Sequence, residues 1–87
     1  MELEPTQMRA LVNRAKRAHG HLGKVISMME EGADCEDVLT QLSAVLRALE
    51  RTGFAIVATG LQQCIAAGDG RDSVDVKKME KLFLSLA

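Results

Sequence analysis

The chain is expected to be all-α, with a three-helix protomer. Three observations predict this. Apolar residues recur at alternating steps of three and four; the apolar palette is Leu, Val, Ile, Met and Ala with only two aromatics, Phe54 and Phe83; and two glycine-bearing breaks, around Gly32 and around Gly68 and Gly70, divide the 87 residues into three segments. Steps of three and four place side chains on one face of a helix with 3.6 residues per turn. That palette suits helix-on-helix packing and disfavours a sheet. A chain of 87 residues makes one domain, residues 1–87, small enough that its own core stabilises it only weakly.

The first helix is expected over about residues 5–31. Pro5 suits a first helical turn, and Glu2 and Glu4 lie near the positive end of the helix dipole. Met8, Leu11, Ala15, Ala18, Leu22, Val25 and Met29 form its seam. Gly20 and Gly23 weaken this helix by up to about 1 kcal/mol each, a cost that close approach of a neighbouring helix can offset. Gly32 supplies a C-terminal stop, and Asp34 or Cys35 caps the second helix, expected over about residues 35–67. Its inward residues are expected to be Val38, Leu42, Val45, Leu49 and Ile56, with Leu39 and Leu46 broadening the face. A third helix, about residues 73–86, puts Val76, Met79, Leu82, Phe83 and Leu86 on one side. This seam is too apolar to lie bare on a lone hairpin, which predicts packing between copies of the chain.

Cys35 and Cys64 are the only cysteines and lie at opposite ends of the second helix. Twenty-nine helical steps separate them, which at about 1.5 Å each is roughly 43 Å. A disulfide needs Cα atoms closer than about 7 Å, so the thiols meet only if a second copy lies antiparallel. Cys35 sits at a helix N-terminus, which favours a thiolate, but Asp34, Glu36 and Asp37 oppose it with negative charge. Cys64, near the C-terminal end, has no such help, so Cys35 is expected to attack first in any thiol chemistry and Cys64 to resolve it. Soft thiolates also suit copper(I), although two sulfurs leave an open site that needs a third ligand. One turn before Cys64 stands Gly60, which offers none; His19 and His21, the only histidines, lie in the first helix and read as surface residues.

The net charge of −1 conceals segregation: Arg9, Arg14, Lys16, Arg17 and Lys24 fall in a stretch without an acid, and Glu30 to Asp37 holds five acids and no base. Repeated by symmetry, the basic stripe can build a patch for an anionic polymer. The chain has no phosphate-binding glycine loop, HExxH or GxSxG, and is expected not to be an enzyme. With two aromatics it lacks stacking platforms for single-stranded nucleic acid. No apolar run approaches the roughly 20 residues of a membrane span, and the opening MELEPTQ is not a signal sequence. A cytoplasmic protein without membrane contact is expected.

The order of residues is more specific still. NRAKRAHGHL from Asn13 to Leu22, CEDVLTQLSAV from Cys35 to Val45, ALER from Ala48 to Arg51, and Cys64 together resemble the copper-sensitive operon repressor family of bacterial transcription regulators. The resemblance implies antiparallel four-helix-bundle dimers that assemble into a dimer of dimers, a homotetramer that binds operator double-stranded DNA without a helix-turn-helix. It places the family's two thiols on Cys35 and Cys64, and its operator-contacting basic residues on Arg14 and Arg51, with Lys16 and Arg17 as further candidates. The family's copper-ligating histidine falls on Gly60, and nickel and cobalt sensors need histidines absent here. The remaining match is the persulfide-sensing branch, in which Cys35 takes up sulfane sulfur and Cys64 of the partner subunit closes a di-, tri- or tetrasulfide, releasing DNA without a cofactor. The alternatives are a repressor sensing copper(I) or another thiophilic metal through Cys35 and Cys64, and a helical oligomerisation module that binds no DNA.

Overall fold

The computed structural model describes residues 3–68, 70 and 73–86. It contains three α-helices and, among the described residues, no strand: α1 (Pro5–Glu30), α2 (Cys35–Ala66) and α3 (Val74–Leu86). α1 and α3 each pack against α2. The whole measures 53 × 26 × 13 Å, and its least dimension is close to the diameter of one helix with its side chains, about 10–12 Å. The protomer is therefore a single layer of helices.

Local chemistry sets each boundary. Pro5 opens α1, and the carbonyl of Glu4 accepts from the N–H groups of Gln7 and Met8 at 3.1 Å; Glu2 lies outside the described residues. At the other end Gly32 adopts φ 75°, while the N–H of Ala33 donates to the Met28 carbonyl and that of Gly32 to the Met29 carbonyl. This paired closure needs a left-handed residue, which glycine adopts without a Cβ penalty. Asp34, rather than Cys35, caps α2: its carboxylate accepts from the N–H of Glu36 at 3.1 Å. Gly68, at φ 88°, follows the end of α2, while Asp69 lies outside the described residues. Ser73 caps α3 by accepting from the N–H of Val76 at 3.1 Å. Replacing Asp34 by Ala is expected to cost about 1 kcal/mol, read as a fall of about 4–8 °C in the thermal midpoint.

The core is narrow. Leu11, Ala18 and Val25 of α1 are buried, as are Val45, Val57 and Cys64 of α2 and Val76 and Met79 of α3. Thr52 is buried as well, its hydroxyl satisfied by donating to the Ala48 carbonyl at 2.8 Å. α3 lies along a stripe of α2 that lacks side chains: a Cβ on Gly53 would stand 3.2 Å from Leu86, and one on Gly60 would stand 2.6 Å from Met79 Sδ. Phe54 and Phe83 fasten the same pair of helices, with ring centroids 5.3 Å apart and tilted by 55°.

Several residues expected inside are not inside this protomer. Leu39, Leu46, Leu49 and Ile56 of α2 are exposed, as are Met29 of α1 and Leu82, Phe83 and Leu86 of α3. The reason is the single layer: α2 is covered on the sides that meet α1 and α3 and has no third helix over the remaining apolar face. Gly20 and Gly23 meet nothing within 4 Å, so no helix of the same chain approaches them.

Candidate functional site

The two thiols have opposite settings at the ends of one unbroken helix. Cys35, the first residue of α2, is exposed, and Cys64, in its last turn, is buried. Their separation of roughly 43 Å along the helix is fixed by continuous hydrogen bonding, so no rearrangement short of breaking α2 joins them within one chain. Around Cys64 the N-terminal segment and α3 close in: Leu3 and Met79 both reach Gly60, one turn away, and the Gln63 side-chain amide donates to Gln7 Oε1. Among the described residues no three His, Cys, Asp or Glu side chains converge as a metal-binding group.

Midway along the protomer α1 and α2 enclose an open cleft of about 310 Å³. Arg14, Arg17 and His21 line it from α1, and Arg51, Ala48 and Thr52 from α2. No acidic side chain shares the lining. Arg14, Arg17 and His21 recur at steps of three and four, and so lie on one face of α1. Ala18 is buried on that face and lines the cleft together with Arg51 and the small Ala48 of α2. His21 is held in place by donating from Nε2 to Gln41 Oε1 at 2.7 Å.

Of the basic residues singled out from the sequence, the fold brings Arg14, Arg17 and Arg51 together, while Lys16 is exposed and lies outside the cleft lining. His21, read as an ordinary surface residue, belongs to the cluster. Its spacing of seven from Arg14 and four from Arg17 was the available signal. Such a cleft offers planar, multidentate donors for phosphate oxygens and for the acceptor edge of guanine.

No helix among the described residues is long and apolar enough to cross a membrane.

A family model described as "Metal-sensitive transcriptional repressor" matches residues 7–85. The chain is 41% identical over 73 residues to the copper-sensing transcriptional repressor CsoR of Mycobacterium ulcerans (strain Agy99), covering 82% of this chain and 62% of that protein. The protein of the same name from Mycobacterium tuberculosis (strain ATCC 25618 / H37Rv) is 34% identical over 73 residues, with 82% and 61% covered. That from Bacillus subtilis (strain 168) is 29% identical over 68 residues, with 74% and 67% covered. The chain thus spans about three fifths of the length of the two mycobacterial relatives. No solved structure matches it. With the match running from the first turn of α1 almost to the end of α3, the chain belongs to the metal-sensitive transcriptional repressor family.

Proposed function

We propose that this protein is a repressor that binds operator double-stranded DNA through the Arg14, Arg17 and Arg51 cleft, and that it releases DNA when copper(I) is held between Cys64 and Cys35 of the partner subunit. The observation that carries the reading is the length of α2. An effector that engages both thiols needs two copies of the chain lying antiparallel, and the uncovered apolar face of α2, with Leu39, Leu46, Leu49 and Ile56, supplies the surface for such a pairing. Two such dimers form the tetramer.

The donors at the Cys64 end fit a soft monovalent ion. Gly60 contributes no nitrogen, and thiolates favour copper(I) over ions that prefer imidazole or carboxylate. The names of the mycobacterial and Bacillus relatives point to the same ion. When held, such an ion ties two protomers together at each end of the α2 pair. Each thiol gives up a proton, and the ends of α2 are drawn into a fixed register. Arg51, on the same helix, then shifts relative to the arginines of neighbouring copies and loses its match to the duplex. Effective release needs a coupling of about 1–3 kcal/mol between effector and DNA.

Gly60 also favours a second reading, in which the effector is reactive sulfane sulfur. The exposed Cys35 thiolate attacks the terminal sulfur of a persulfide and expels the donor thiolate; Cys64 of the partner subunit then attacks the persulfide and expels hydrosulfide, leaving a disulfide. With a polysulfide donor the bridge retains one or two further sulfurs.

Fluorescence anisotropy with a DNA fragment from upstream of the protein's own gene separates these readings. Copper(I) is expected to weaken binding by about tenfold or more, which is about 1.4 kcal/mol or more of coupling, and a persulfide donor to leave it unchanged. The reverse result, with a crosslinked dimer in intact-mass spectra, selects the sulfur reading. Absence of any binding at moderate salt leaves only the oligomerisation module.

A further inference from the structure

Copper(I) thiolate sites gain from a third soft donor, and among the described residues no three His, Cys, Asp or Glu side chains converge as a metal-binding group. The contact between Gly60 and Met79 supplies a different donor. Met79 is 8% exposed on the inner face of α3. Its Sδ lies 2.6 Å from the point where a Cβ on residue 60 would stand, while its Cε lies 3.8 Å from that point. The thioether sulfur, more than the terminal methyl, therefore occupies the volume that a side chain at position 60 would fill. Gly60 and Cys64 are one helical turn apart on α2 and both are buried; Cβ positions at that spacing are about 5–6 Å apart. Any side chain at position 60 would force this sulfur away.

Resting on the copper(I) reading above, we infer that Met79 is the third ligand, so that the site is made of sulfur alone: the thioether of Met79, the thiolate of Cys64 and the thiolate of Cys35 of the partner subunit. An all-sulfur site admits copper(I) and discriminates against nickel and cobalt ions that bind through nitrogen. Met79 also fills space, and methionine is a common gap-filler. A pure packing role predicts that leucine, of similar volume, replaces it without loss. A ligand role predicts otherwise.

The experiment uses the intact protein, copper(I) alone as the probe, and a copper(I)-specific chelator as competitor. Met79→Leu is expected to weaken copper(I) binding by about tenfold or more, the scale on which even outer-shell partners act. X-ray absorption at the copper edge should fall from three sulfur neighbours to two, with the thermal midpoint and copper-free DNA binding unchanged. Selenomethionine-labelled protein without any substitution should show a copper neighbour at the selenium edge, and that signal should vanish in Met79→Leu. Wild-type affinity and an unchanged copper spectrum in Met79→Leu, with binding lost in Cys64→Ser, overturn the third ligand and leave the copper(I) reading standing. Failure of the wild-type protein to take copper(I) from the competitor overturns both.

Discussion

Mixed dimers of Cys35→Ser and Cys64→Ser protomers are expected to bind one copper(I) per dimer, whereas dimers of either variant alone bind none against a strong competitor. In an antiparallel pair each junction draws Cys35 from one copy and Cys64 from the other. A dimer of one variant lacks the same thiol at both junctions. In the mixed dimer one junction regains both thiols and the other loses both. Co-expression with two affinity tags isolates the mixed species, and titration against a chelator counts its sites. Restoration is hard to produce in any other way, because the ends of α2 are roughly 43 Å apart along the helix and cannot cooperate within a chain. A mixed dimer with no site, or a single variant that still responds, removes the shared junction. The same preparation tests the sulfur reading, which predicts one crosslink per mixed dimer.

Loss of operator binding in the double variant Arg14→Ala with Arg51→Ala is the other large effect. The two guanidinium groups line one cleft from different helices. Each single substitution should cost about 1–3 kcal/mol if its residue contacts a base, or lower the salt dependence by about one charge if it contacts phosphate. Because they share a cleft, their effects should couple rather than simply add. Lys16→Ala, outside the lining, should cost less than either. Anisotropy titrations across a salt series give affinity and slope together, and a double variant with wild-type affinity at every salt concentration would show that this cleft is not the DNA surface.

The helices were legible in the sequence because each announces itself locally: Pro5 opens α1, Gly32 closes it, and apolar residues recur at steps of three and four. What the pattern does not encode is which neighbour covers a seam. Leu49 and Ile56 continue the periodicity of Val45 and read as core, yet of the three only Val45 is buried in this chain. A periodic stripe has the same form whether its partner is the next helix or another copy. The glycines show the same limit in reverse. Gly20 and Gly23 suggested close approach and meet nothing in this chain, whereas α3 settles onto Gly53 and Gly60. The arginine cleft was half legible: Arg14, Arg17 and Arg51 were named from the resemblance, but His21 joins them through helix geometry and its bond to Gln41. The thioether beside Gly60 was not legible at all, since it depends on how α3 folds back across two glycine-containing turns.

α2 runs from one thiol to the other without interruption. A stiff spacer that holds two reactive groups beyond each other's reach makes the solitary chain inert toward anything that must grip both. On the proposed function, dilution below the point where copies associate would silence the response without altering a single residue, and abundance in the cell would become part of the threshold.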